Sequence, residues 1–250
     1  MSTDFALDGL ALRSVKIDRV ARSNFFVAYS TLLLSLLFLG FAPSFFLRSM
    51  FDTEPLSPAA WAHGIVLTGW FLVFVGQSLL VRTGRTDLHR KIGRAGVAIA
   101  AAGTVGFIWL AFALYSGRPP NVDPELVERA KLFRIVRELT VFAAFPVLVT
   151  LAVLLRRRPD IHKRLMLLAT VAILPPGINR LLLWSGDIWP AIRAVPHFAL
   201  LFGILAMLLV VAIVRDRIYL GRIHPAFGWG APIWFIWLVG SGLVVPKLLF

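Results

Sequence analysis

The sequence predicts an all-α integral membrane protein, a bundle of about seven transmembrane helices with a cytoplasmic N-terminus and an external C-terminus. Three observations predict it. Hydrophobic residues make up 58% of the chain and charged residues only 16%, against about 25% charged in an ordinary soluble domain. The apolar residues fall into runs of roughly 20, the length that spans a bilayer core. Lys and Arg gather in every second connection, as the positive-inside rule requires.

The spans are read in order as Phe25–Leu47, Trp61–Leu80, Ile92–Tyr115, Ile135–Leu155, Leu165–Trp184, Pro196–Ile213 and Trp229–Leu249. Turn signals separate them, among them Arg85-Thr86-Asp87, Arg158-Pro159-Asp160 and Ser185-Gly186-Asp187. The longest connection, Ser116–Phe133, is read as an external loop because it carries Asp123, Glu125 and Glu128. Residues 24–250 thus form one transmembrane domain. Residues 1–23 mix three Asp with Arg13, Lys16, Arg19 and Arg22 and form a cytoplasmic tail, read either as an interfacial helix or as a disordered segment. The first apolar run is too long for the core of a cleaved signal peptide.

Orientation follows from the cations. Four sit in the tail. Five follow the second span (Arg82, Arg85, Arg90, Lys91, Arg94), five the fourth (Arg156, Arg157, Arg158, Lys163, Arg164) and three the sixth (Arg215, Arg217, Arg222). This puts the N-terminus on the cytoplasmic side, with anionic lipid headgroups there as the expected partners of the +13 net charge in place of nucleic acid; the expected location is a bacterial cytoplasmic (inner) membrane. With no cysteine, thiolate chemistry, disulfides and Cys-ligated metals are excluded. Gly-rich phosphate loops, nucleophile elbows and His-Glu-x-x-His pairs are also missing from the sequence.

All five histidines lie near the N-terminal ends of spans. His63 and His197 fall at the outer face and have apolar neighbours. His89 and His162 fall at the inner face, as does His224, whose His-Pro sequence reads as turn chemistry. Imidazole is the usual axial ligand of b-type haem and a frequent metal ligand. The expectation is that an outer pair, His63 with His197, faces an inner pair, His89 with His162. His89-Arg90-Lys91 and His162-Lys163-Arg164 place cations beside the inner pair for haem propionates. A His at a membrane boundary also serves as a plain interfacial residue, so both readings stand.

A second group is read at membrane depth. Pro175-Pro176-Gly177 removes two backbone donors and should kink the fifth span. Asn179 and Arg180 follow it, roughly 27 Å from His162 at 1.5 Å per residue, near the outer face. Arg137 and Glu138 open the fourth span at that face. An outer polar pocket of Arg137, Glu138, Asn179 and Arg180 near His63 and His197 is expected, with snorkelling of Arg180 to headgroups as the alternative. Gln77, in the second span, is read as bonding a neighbouring helix.

Leu88-His89-Arg90-Lys91-Ile92-Gly93-Arg94 resembles the His-Arg-x-x-Gly-Arg signature of an uncharacterised family of bacterial multi-pass membrane proteins. His162-Lys163-Arg164-Leu165-Met166, followed by Arg180, resembles that family's second signature. The resemblance spans the second to sixth segments and implies the membrane fold, without an activity. A fainter similarity is to transmembrane di-haem b-type cytochromes, in which histidines on four successive helices form two pairs. It implies haem b on His63, His197, His89 and His162, although this chain has an extra span between its His-bearing helix pairs. Three functions follow as expectations. One is a haem- or metal-binding membrane redox protein. Another is a small-solute transporter or channel around Arg180 and Glu138. The third is a non-catalytic assembly or lipid-binding component that packs on a protein partner or a second copy of itself.

Overall fold

The computed structural model describes residues 24–114 and 124–249. The expected tail, residues 1–23, lies outside the described residues. Among the described residues the chain is entirely helical. Its α-helices are α1 (Asn24–Phe41), α2 (Pro58–Arg82), α3 (Thr86–Leu114), α4 (Pro124–Phe142), α5 (Ala144–Leu154), α6 (Pro159–Ala172), α7 (Pro175–Ile188), α8 (His197–Leu220), the single turn α9 (Pro225–Gly228) and α10 (Gly230–Leu249).

Five helical segments are long and apolar enough to cross a membrane: Asn24–Phe46, Pro58–Arg82, Thr86–Ala113, Val127–Leu154 and His197–Leu220. The pair α6 and α7 makes a sixth when counted as one span, bent by 42° at the break before Pro175. The described residues thus carry five or six spans where the sequence predicts seven. Helix α10 occupies the place of the seventh, its side chains beyond residue 240 lying outside the description. Several helices begin earlier than the apolar runs, because charged residues at an interface remain helical while facing water. The largest shift is in the presumed external loop: from Pro124 onward it is helix, with the exposed ion pairs Glu125–Arg129 (2.7 Å) and Glu128–Lys131 (3.2 Å) one turn apart.

The helices are sorted by what they touch. In α6 and just beyond, Leu165, Leu167 to Leu174 and Ile178 are buried, so this broken span is the axis of the bundle. Apolar side chains such as Ile65, Leu72, Val105, Met207 and Val214 point outward and stay exposed. That inside-out surface fits lipid as the surrounding solvent and would aggregate in water.

Each helix break leaves carbonyls without their usual donors, which is costly away from water. Side-chain N–H groups fill the gaps. Pro43 has no N–H for the Leu39 carbonyl, so the end of α1 relaxes into a π turn, Ala42–Phe46, and the Trp184 indole donates to Leu39 O at 3.0 Å. Pro146 interrupts the fourth span at Ala143, and the Trp237 indole donates to Thr140 O beside that break at 2.9 Å. Two further indole and phenol bonds tie the core: Trp70 Nε1 to Thr170 Oγ1 at 3.3 Å, and Tyr29 Oη to Leu208 O at 2.6 Å. Tyr29→Phe should cost about 1 kcal/mol, the net worth of one buried hydrogen bond whose acceptor keeps its helical partner. A denaturation titration in mixed micelles reads it directly.

Helices α1 and α7 cross at two glycines. A Cβ placed on Gly40 would lie 2.1 Å from the Gly177 carbonyl oxygen. Along α3, glycines also face α2: a Cβ on Gly96 would sit 3.3 Å from Val73 and one on Gly103 3.6 Å from Val66. The stripe 96, 103 and 106 runs at three and seven residues, so the short Gly103–Gly106 spacing, unremarkable by itself, belongs to a longer helix–helix seam.

Candidate functional site

The inner histidines meet. His89 lies in the first turn of α3 and His162 in the first turn of α6. Their ring centroids are 6.4 Å apart and the rings are perpendicular, at 89°. His162 Nδ1 sits 2.8 Å from the carbonyl of Ala152. A carbonyl only accepts, so Nδ1 carries the proton and Nε2 is left with its lone pair. The Ala152 carbonyl is available because α5 ends there, Arg156 N–H turning instead to Val153 O. On the other ring, the Gln77 backbone lies within interaction range of the imidazole, and His89 Nδ1 is buried with no partner. His162 thus has one nitrogen tied to backbone and one left over, the arrangement that orients metal-ligating histidines, and His89 offers an unpaired Nδ1.

Gln77 adds to this cluster. Both its amide oxygen and nitrogen are buried without a partner, against the expectation that it bonds a neighbouring helix. Its oxygen faces Gly93, where an added Cβ would stand 3.9 Å away. Unpaired buried polar atoms each cost about 1–3 kcal/mol. Three of them within one region, at Gln77 and His89, mark a place where a bound group would supply what the protein does not.

The outer residues divide. His63 on α2 and Arg180 on α7 line one cavity of about 170 Å³, closed otherwise by Leu37, Phe41, Ser44, Phe45, Leu67 and their neighbours. His63 Nδ1 is buried with no partner, and the ring lies 5.6 Å from Phe107. Arg180 is exposed, with its guanidinium 4.7 Å over the Phe41 ring and within electrostatic reach of Glu138. Asn179 and His197 are engaged with each other, Oδ1 to Nε2 at 2.7 Å. The side chain of Arg137 lies outside the described residues.

One polar centre escaped the sequence reading. Arg164 is fully buried, 1% exposed, and grips Asp216, 0% exposed, by two parallel bonds of 2.6 and 2.7 Å. Its third bond, 2.6 Å, goes to the Asp160 carbonyl. Arg215 adds a longer contact to Asp216 at 3.5 Å and stacks over Phe25, Phe26 and Tyr219. The sequence reading gave Arg164 to haem propionates; the structure commits its charge to Asp216 and buries it, with three of its five N–H donors taken. Lys163 lies over Phe26, 5.3 Å from the ring. Arg90 and Lys91 remain exposed beside His89. The available signal was Asp216 itself, a carboxylate between Arg215 and Arg217 at the end of an otherwise apolar helix. His224 caps α9: its Nδ1 accepts from Ala226 N–H at 3.1 Å, so its Nε2–H donates to Asp160, 3.0 Å away.

Among the described residues no group of three or more His, Asp or Glu side chains is placed to hold a metal ion. A bare zinc site, which takes three or four protein ligands, therefore has no support there. No protein-family model, curated protein or solved structure matches this chain.

Proposed function

We propose that this chain is a seven-span protein of a bacterial cytoplasmic membrane, N-terminus inside, that holds haem b between His89 and His162 and acts in membrane electron transfer. The 6.4 Å ring separation carries the reading. With metal–nitrogen bonds of about 2.0–2.1 Å and ring centres about 1.1 Å behind each nitrogen, two imidazoles on one metal hold their centres roughly 6.3 Å apart. Two histidines suffice only if a planar cofactor supplies the other four donors, which favours haem over a bare ion. The leftover Nδ1 of His89 and Nε2 of His162 would be the protein's two donors to the haem iron. Arg90 and Lys91, which follow His89 and are exposed, would be the cations for the haem propionates in place of Arg164. A bound haem supplies one-electron transfer. The exposed basic residues of the same face support binding to anionic headgroups.

The test is the visible spectrum of the detergent-purified protein after expression with haem supply. A Soret band is expected, shifting on dithionite reduction. His89→Ala and His162→Ala should each lower haem content at least tenfold, while His63→Ala leaves it unchanged. A wild type without a Soret band, or one that survives in the double variant, would overturn the assignment.

A further inference from the structure

The outer cavity has a chemistry of its own, and it does not rest on the inner histidine pair. It is bounded by the π turn closing α1, the first turns of α2, and the start of α7. Its walls are mostly apolar and aromatic, with Phe41, Phe45 and Phe46 among them. Its volume of about 170 Å³ compares with the roughly 150 Å³ void that accepts one benzene ring. A dry apolar void of this size needs no explanation, but this one contains two polar groups.

His63 Nδ1 is fully buried at the wall and has no partner. Arg180 brings five N–H donors and no acceptor to the same space. The Thr68 hydroxyl, which also lines it, already donates to the Gly64 carbonyl at 2.7 Å. Arg180 only donates, so a ligand that satisfies it must offer an acceptor oxygen, and the Nδ1–H tautomer of His63 would donate to a second. Glu138 sits within electrostatic reach of Arg180 and offsets its charge. A second anion there would face an existing carboxylate, whereas a neutral carbonyl would not. The surroundings are lipid-facing helices, so the ligand's source is the bilayer and an apolar tail can leave by the open side.

We infer that the His63–Arg180 cavity binds a lipid-soluble cyclic carbonyl compound of the benzoquinone class, one ring inside and its oxygens accepting from His63 and Arg180. Ring stacking on the phenylalanine wall supplies the apolar part of the affinity.

Equilibrium dialysis of a decyl-substituted benzoquinone against the purified full chain tests this. Saturable binding at one molecule per chain is expected. His63→Phe and Arg180→Leu should each raise Kd at least tenfold. Ala60→Trp, which fills the cavity and keeps both polar groups, should abolish binding. Each variant is compared only where its melting temperature in detergent matches the wild type; Ser44→Phe provides a second filled cavity if Ala60→Trp does not fold. Asp187→Asn, outside the cavity, should bind as the wild type does. Binding without saturation, or unchanged Kd in the polar and filled variants, overturns the proposal. Displacement by decanoate at an equal Kd overturns the neutral-carbonyl class and makes this a carboxylate site.

Discussion

Asp216→Asn is expected to lower the stability of the protein by about 3–5 kcal/mol, the usual cost of stranding one member of a buried ion pair. Arg164 and Asp216 are 1% and 0% exposed, and their two bonds are short and parallel. Asparagine keeps the shape and one acceptor but removes the charge that offsets the guanidinium. The Arg164 stem cannot carry that charge to water, because its third bond fixes it to the Asp160 backbone inside the bundle. Arg215, 3.5 Å from the same carboxylate, would lose its counter-charge too, although stacking on three aromatic rings still holds it. Replacing both partners, Arg164→Met with Asp216→Leu, should recover most of the loss, since apolar groups of similar size replace a buried pair at little cost. Equilibrium unfolding in mixed micelles measures all three variants. A single variant within 1 kcal/mol of the wild type, by the same scale, would show that water reaches the pair.

The second large effect is at Gly40. Alanine places a methyl group 2.1 Å from the Gly177 oxygen, 2.7 Å from its carbonyl carbon and 2.9 Å from its Cα. All three are backbone atoms, so no side chain can swing aside and α1 must part from α7. Overpacking of this kind costs about 1–3 kcal/mol where side chains can adjust, and more where they cannot. Alanine recovers about 1 kcal/mol of helix propensity. The net expectation is a loss of about 2 kcal/mol. Gly203→Ala is the contrast: nothing lies within 4 Å of its Cβ position. The propensity gain is then unopposed, and the variant should gain up to about 1 kcal/mol. The same chemical change therefore has opposite signs on two helices of one bundle. The same titration compares them, and equal shifts for both would contradict the close crossing of α1 and α7.

The haem and cavity proposals separate cleanly from these stability effects. Neither His89 nor His63 belongs to the Arg164–Asp216 centre, so its variants report on folding and the histidine variants on ligands.

Much of the helical plan was legible in the sequence. Hydropathy placed both ends of Asn24–Phe46 to within a residue, but only the start of His197–Leu220, whose last turns carry Arg215, Asp216 and Arg217 and run past the apolar stretch. It failed at Pro124–Phe142, where Glu125, Glu128, Arg129 and Lys131 lower the hydropathy without ending the helix. The bend at Pro175-Pro176-Gly177 was legible because a missing N–H is a local property. The candidate sites were less so. The four candidate histidines and Arg180 could be named in advance. The approach of His89 to His162 was named in advance, and the two rings stand 6.4 Å apart; the outer pairing was not: His197 is engaged by Asn179, and His63 shares its cavity with Arg180. Arg164 was assigned to a ligand because its loop is basic, while its partner lies 52 residues away.

The sequence by itself determined that the helices are apolar enough to cross a membrane and roughly where most of them run. Those follow from composition and from hydropathy summed over about 20 residues, and neither depends on a neighbour. Only the tertiary structure decided the other partners: the Arg164–Asp216 pair, the indoles on broken helix carbonyls, the Gly40–Gly177 crossing and the Asn179–His197 bond. The physical reason is that a polar atom in a bilayer must be satisfied by whatever stands within about 3 Å. That distance is set by how helices rotate and cross, which a linear pattern of apolar residues leaves open.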